Sequence, residues 1–405
     1  MRNFDIEHLI NTRQVEIFFQ PIISARTQRP VGLEALSLTV CPETGGIISF
    51  PVLMQQAIEV GLTIELDRLC CERALEQFMA LANRHHDLLL FLNLDTTIID
   101  NGVVGSGHLI KLVRHVGLKP ENVIIELLES SIADTAVLEL FARIHHEYGF
   151  LLAIDDMGSG CSSLERVMKL QPDMIKVDQM LVQDIHLDYY KQEVFKSLVG
   201  LARKVRALVV AEGIETEAEA LTSLELGADL LQGDYFLQPQ KIDQEILASF
   251  AVRIKEIASR YKTSRLDTIM KEQAELKFYH RVMSTVIVEL KRVSEVGFEP
   301  KLKKFANLFP ALEYLYILDM NGIQITDSIC GEEKSFCNDR KIFKASSRGA
   351  DQSLKDYYLY IKAGVDQYTS RPYMSLASGK LCVTSSVVFR DMHHRRFILC
   401  ADFNP

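Results

Sequence analysis

At 405 residues, 48% of them apolar and 24% charged, the chain is long enough for more than one packed core, and its composition is neither disordered nor collagen-like. Its net charge of −9 is unevenly placed: residues 1–250 hold 36 acidic and 20 basic side chains, residues 251–405 hold 18 and 25. An acidic first part is a poor partner for nucleic-acid backbones, which require cationic surface, and if it handles a phosphate a metal must invert the local charge.

The first residues, MRNFDIEHLINTRQ, lack the apolar run of a signal peptide. No window supplies the roughly 18 uncharged apolar residues of a membrane span. A cytoplasmic protein without membrane partners is expected. The eight cysteines form no CxxC pair, so they read as small core residues rather than disulfides or a zinc site.

In chain order, apolar runs bounded by turn signals predict strands at 16–20 (EIFFQ), 31–38 (VGLEALSL), 88–94 (LLLFLNL), 122–128 (NVIIELL), 151–156 (LLAIDD), 173–178 (DMIKVD), 207–212 (ALVVAE) and 230–236 (LLQGDYF). Helical periodicity lies between them at 64–83, 107–116, 134–148, 189–205 and 216–226. Continuous apolar strands alternating with amphipathic helices predict an α/β fold, a closed (β/α)8 TIM-like barrel. The first connection, ISARTQRPV, is too short for a crossover helix, so the barrel should begin irregularly with an antiparallel first strand.

Barrel chemistry sits at the C-terminal ends of the strands. Taken strand by strand from the second, the polar residues there are Glu34, Asn93, Glu126, Asp155 with Asp156, Lys176, Glu212 and Gln232. Burying a carboxylate costs several kcal/mol unless it is paired or bound to metal. One lysine cannot neutralise this many, and hard divalent cations take such oxygen ligands. Lys176 could alternatively be a Schiff-base lysine, but surrounding carboxylates raise a lysine pKa where that chemistry needs it lowered.

The segments FFQPI (Phe18 to Ile22), GLEAL (Gly32 to Leu36), NLD (Asn93 to Asp95), IELLES (Ile125 to Ser130), IDDMGSGCSSL (Ile154 to Leu164), IKVD (Ile175 to Asp178), AEGIET (Ala211 to Thr216) and LQGDYF (Leu231 to Phe236) together resemble the EAL family of cyclic di-GMP phosphodiesterases. The resemblance covers roughly residues 1–245, one motif per strand. It implies binding of cyclic di-GMP with Mg2+ or Mn2+, a site that Ca2+ can also occupy, and in active members hydrolysis to linear pGpG. It further implies that Glu34, Asn93, Glu126 and Asp155 ligate one metal, and Asp155, Asp156 and Glu212 a second or its bound water. Lys176, Glu212 and Asp156 would be the catalytic groups. Gln20, Glu34, Leu36, Asn93, Asp156, Lys176 and Gln232 would meet the ligand. Glu129, Asp178 and Glu215 would support the site by hydrogen bonds to its ligands. A homodimer is implied as well.

Two departures stand out. Active members place an arginine two residues after EAL, where this chain has Leu38, and leucine cannot form an Arg–phosphate fork. Their DDFGTG loop reads DDMGSG here, with Met157 and Ser159. The predicted metal ligands are all spared. Binding should therefore survive better than turnover, which falls steeply with small misplacements. A signalling receptor with weak or absent hydrolysis is expected, the alternative being an active phosphodiesterase releasing pGpG.

Residues 246–294 read as a helical linker, one long helix or two packed ones, with interspersed charges that fit a solvated face better than nucleic-acid binding. Residues 295–405 read as an α+β domain resembling PAS and Cache-like sensors, for an unidentified small ligand or protein partner. A hairpin is predicted around Asn321-Gly322, with further strands in RPYMSLASGKLCVTSSVVF and RRFILCADF. The histidine pairs 85–86, 145–146 and 393–394 are predicted to be surface or loop residues, since adjacent side chains point apart.

Overall fold

The computed structural model describes residues 6–40, 47–83, 85, 87–94, 107–128, 135–159, 164–331 and 342–404. It divides into two compact units, Met1–Arg265 and Leu266–Pro405.

In the first unit, helix α1 (Ile6–Thr12) precedes β1 (Glu16–Ser24) and β2 (Arg29–Val40), then β3 (Ile47–Ser49), α2 (Phe50–Val60) and α3 (Thr63–Ala82). Strand and helix then alternate through β4 (Leu89–Leu94), α4 (His108–His115), β5 (Val123–Leu128), α5 (Thr135–Tyr148), β6 (Leu151–Met157), α6 (Leu164–Leu170) and β7 (Met174–Val177). There follow α7 (Gln179–Val182), α8 (Tyr189–Val205), β8 (Leu208–Ala211), α9 (Glu217–Leu226) and β9 (Leu230–Gln232). The sheet order β1-β9-β8-β7-β6-β5-β4-β2, closed by β1 on β2, makes an eight-stranded barrel, and β3 adds to the edge of β2. As expected, β1 is irregular: it is antiparallel to both β2 and β9, while the other neighbours in the ring are parallel.

The period of two along each strand sorts the barrel interior into layers. Ile22, Phe91, Ile124, Ala153, Met174, Val210 and Leu230 form one buried apolar cluster. Two residues away on the same strands stand Gln20, Asn93, Glu126, Asp155, Lys176, Glu212 and Gln232. On β2 the lower position is Gly32 and the upper Glu34. A Cβ on Gly32 would lie 2.6 Å from both the Phe91 ring and the Leu89 carbonyl oxygen, so the missing side chain makes room for the phenyl ring. The apolar floor keeps water from below, and the polar layer opens at the mouth.

A single helix, α10 (Gln244–Leu290), occupies most of the predicted linker. Its early residues Phe250, Ile254 and Ile257 join the barrel unit's core, whereas Val282, Met283, Val286 and Leu290 join the core of the second unit. That unit continues with α11 (Phe298–Leu308), β10 (Leu312–Leu318), α12 (Asp356–Lys362), β11 (Gln367–Thr369), β12 (Tyr373–Met374), β13 (Leu381–Arg390) and β14 (Arg396–Phe403). Its antiparallel sheet has the order β10-β14-β13-β11, with β12 on β13. Leu315, Ile317, Leu399 and Ala401 face the core with α10 and α11, while Tyr314, Tyr316, Ile398 and Cys400 face a second cluster with α12.

Two expectations are corrected. The turn at Asp319–Gly322 forms, with Asp319 Oδ1 accepting from the amides of Asn321 and Ile323, but the return is a pair of isolated bridges at Gln324 and Ile329 rather than a strand. The Thr326 hydroxyl accepts the Ile317 amide hydrogen bond, and the Gln324 amide donates to Ala350, so the ladder is interrupted. His145 is a core residue: it lies in the last turn of α5, buried, with its ring stacked on Phe141 and Nδ1 2.9 Å from the Phe141 carbonyl oxygen. Its neighbour points elsewhere, with His146 Nε2 3.2 Å from Asp173 Oδ2. His85, His393 and His394 are exposed, while His86 lies outside the described residues.

Candidate functional site

All eight strands deliver one predicted polar residue each to the mouth layer. Lys176 is its centre. The ammonium Nζ lies 3.2 Å from Glu34 Oε2, 2.7 Å from Glu126 Oε1, 3.2 Å from Asp155 Oδ1 and 2.5 Å from Glu212 Oε1, with the side chain 1% exposed. Burial favours the neutral amine, but the surrounding carboxylates outweigh it and hold Lys176 well above the usual lysine range. That environment opposes the neutral amine a Schiff-base lysine needs.

Glu34 is the best satisfied carboxylate. Asn93 Nδ2 donates to Oε1 at 2.8 Å, and Gln232 Nε2 donates to Oε2 at 2.5 Å. Burial alone would raise its pKa, but Lys176 and these donors hold it below the ordinary value. Gln232 Nε2 also reaches Gln20 Oε1 at 2.9 Å, and Gln20 Nε2 donates to Asp234 Oδ1 at 3.1 Å. A chain of amides thus runs from Asp234 on the rim to Glu34.

The other carboxylates are under-satisfied. Both Glu126 oxygens, Asp155 Oδ1 and Glu212 Oε1 are buried without an oriented hydrogen bond. Burial first, then neighbouring carboxylates, push Glu126 and Glu212 well above the usual range. Asp155, Asp156 and Glu212 each present an oxygen within 4.8 Å of the others. Such a convergent set of hard oxygen donors, with charge that one lysine does not balance, fits a divalent cation.

Asp156 reaches this group through a backbone irregularity. The β6–β7 register shifts between Ile154 and Met157, and Asp156 has a positive φ of 56°. Adjacent strand residues would face opposite ways, and the bulge turns Asp156 to the same side as Asp155. Burial, then Asp155 and Asp178, push its carboxyl up to about 6. Gly158 follows with φ 104°. Met157 packs into the core between the barrel strands and their helices and is 1% exposed.

The predicted supporting residues have different surroundings. Asp178 caps α7 by accepting from the Met180 amide at 2.7 Å, and its side chain also meets Asp156. Glu215 is exposed and accepts from Gln179 Nε2 at 3.0 Å. Glu129 lies outside the described residues. Sequence reasoning missed Glu219. Buried in α9, it accepts from the amides of Glu215 and Thr216 through Oε2 and from Asp184 through Oε1, fixing the loop that follows β8. The Thr216-x-x-Glu219 capping box was a legible signal for it. Asp234 and Gln179 were also missed; nothing in their local sequence marks them.

A polar cavity of about 360 Å3 opens over Glu34, Asp155, Asp156, Lys176, Glu212 and Gln232. Glu126 lies beneath it, fully buried. A second cavity of about 240 Å3 is apolar and is lined by Leu36, Leu38, Phe50, Pro51, Asn93 and Pro239, among others. Both leucines stand on the same face of β2 as Glu34, so Leu38 presents a methyl-rich wall beside the polar layer.

Fold and site together define a TIM-like barrel whose mouth gathers carboxylates around a lysine and suits a divalent cation. Residues 4–239 match the EAL domain, and the chain belongs to this family. It is similar to the EAL-domain containing protein YkuI of Bacillus subtilis, 25% identical over 363 residues, 87% of this chain and 85% of YkuI. It is also 28% identical over 253 residues to the bifunctional diguanylate cyclase/cyclic di-GMP phosphodiesterase MucR of Pseudomonas aeruginosa, covering 61% of this chain but only 36% of MucR. Among solved structures, YkuI in complex with c-di-GMP and calcium has a TM-score of 0.80 at 22% identity, with all of both chains covered, a likeness of fold. Klebsiella pneumoniae BlrP1 in its manganese/cyclic di-GMP complex has a TM-score of 0.51 at 30% identity, covering 56% of each chain. No helix among the described residues is long and apolar enough to cross a membrane.

Proposed function

We propose that this chain is a cytoplasmic, homodimeric receptor that binds cyclic di-GMP with a divalent cation, Mg2+ or Mn2+ with Ca2+ as a substitute, and hydrolyses it weakly or not at all. The observation that carries the reading is the pairing of a convergent Asp155–Asp156–Glu212 set with an apolar Leu38 wall on the same mouth. Asp155, Asp156 and Glu212 would hold the cation, joined by Glu34, Asn93 and Glu126 if a second is bound. A divalent cation there would supply positive charge to phosphoryl oxygens and lower the pKa of water.

The chain's own residues bind and orient. Gln20, Gln232 and Asn93 offer amides at the rim, and Leu36 offers apolar surface to a base. Lys176 keeps the carboxylates gathered and is itself held by them. Leu38 leaves a phosphate without the bidentate grip that an arginine provides, so the ligand is recognised but not aligned for in-line attack.

A second reading, an active phosphodiesterase releasing pGpG through Lys176, Glu212 and Asp156, is favoured by the presence of every strand-borne polar residue in one layer. Calorimetric titration of cyclic di-GMP with Ca2+ tests the binding half. Asp155→Asn should weaken it at least about tenfold, and undiminished affinity in that variant or in chelator would remove the proposed site.

A further inference from the structure

The second unit buries an acid that its fold does not need as an acid. Asp402, on β14, is 5% exposed and forms no ion pair among the described residues. Its Oδ1 accepts from the hydroxyl of Thr384 at 2.7 Å and, more distantly, from Tyr316 at 3.5 Å. An asparagine oxygen would accept the same two hydrogen bonds without the cost of burying a charge. The acid differs from that amide in being able to change its charge.

The surroundings favour the neutral form. From β10 come Tyr314 (the register partner of Asp402), Tyr316 and the carboxyl of Glu313, the last accepting from Ser378 Oγ at 3.0 Å. Strand β13 contributes the Cys382 thiol beside Thr384, β14 the Cys400 thiol, β12 the Tyr373 hydroxyl and α12 the Tyr357 hydroxyl. Lys355, which precedes α12, is the cation whose charge reaches the site. Burial first, with Glu313 adding to it, lifts the Asp402 carboxyl to about 7 against the hydrogen bonds and Lys355.

Tyr373 Oη lies 2.6 Å from Thr384 Oγ1. Thr384 has one proton. While Asp402 is ionised, Thr384 donates to it and Tyr373 must donate to Thr384. Once Asp402 is protonated it can donate to Thr384, which then donates to Tyr373 and frees the tyrosine proton for another partner. Tyr373 is half-buried on a two-residue strand that, among the described residues, pairs with β13 alone, so the reversal emerges at a weakly secured strand of the sheet.

We propose that the second unit is a proton sensor in which buried Asp402 is the titrating group and the Thr384–Tyr373 hydrogen-bond chain carries its state to β12. The native state binds this proton more tightly than the unfolded chain does. Its contribution to stability is therefore full below the ordinary carboxyl value of 3.8 and is lost as pH rises to about 7.

The test uses the full chain and pH-difference infrared spectroscopy. The carboxylic C=O signal that appears as pH falls through about 7 should lose one band in Asp402→Asn, while the bands of the barrel-mouth acids remain. In the native chain, amide exchange over 373–384, corrected for intrinsic rates, should be slower below that midpoint than above it, and in Asp402→Asn it should lose this step. Thr384→Val removes a donor to the ionised form and should move the midpoint up by about 1–2 pH units; it carries the test if the asparagine variant does not fold. A spectrum between about pH 5 and about pH 9 with no band sensitive to either substitution overturns the proposal, as does an exchange profile with no step that follows Asp402.

Discussion

Lys176 concentrates the logic of the mouth in one side chain. Its fourfold contact with Glu34, Glu126, Asp155 and Glu212 is the charge balance that allows these acids to be buried. Lys176→Met should destabilise the barrel by about 3–5 kcal/mol in urea unfolding, and added Ca2+ should recover part of that loss by mass action. In the proposed reading, Leu38 is the residue that limits turnover. Leu38→Arg should raise pGpG production from cyclic di-GMP by at least about tenfold, the scale of one well-placed charged contact. Met157 offers a poorer test, because it is packed into the core and Met157→Phe would add volume to a filled space. At this scale the sequence was most informative where a polar residue ended an apolar run, which picked out the mouth residue of each strand. Asp234 and Gln179 escaped because their roles come from contacts across the barrel: Gln20 with Asp234 spans 214 positions.

Among elements, the loops after β6 and β8 shape the site. Adjacent strand residues face opposite ways, so Asp155 and Asp156 can serve one site only if the strand bends at Asp156, a bend that the following glycines permit. The bend falls on Asp156 itself, which takes the positive φ, and Gly158 completes the turn. Register shifts of this kind depend on the partner strand, so local pattern does not reveal them. The loop after β8 rests on Glu219, which satisfies three backbone amides. Glu219→Ala should cost about 2–3 kcal/mol in chemical unfolding and lower metal-dependent ligand affinity by displacing Glu212. The failed hairpin in the second unit has the opposite lesson: its Asn-Gly turn formed, yet buried Gln324 and Thr326 drew the returning chain's hydrogen bonds to side chains and the segment 346–352.

At the scale of the molecule, alternating strands and helices gave the barrel, and the reversed first strand followed from one short connection. The continuous α10 was open between one helix and two, because no proline or glycine interrupts it and periodicity does not say where a helix changes partners. The charge asymmetry now has a physical seat. Part of the acidic excess of residues 1–250 is the carboxylate ring of the mouth, while the second unit's unusual acid, Asp402, lies on the far face of its sheet from α10 and α11. The site is proposed to recognise cyclic di-GMP with metal but to turn it over poorly. The most direct test is incubation of the purified chain with cyclic di-GMP and Mn2+, followed by separation of bound ligand, free ligand and pGpG. The account predicts metal-dependent capture with the ligand recovered intact over many binding lifetimes; rapid, complete conversion to pGpG would contradict it.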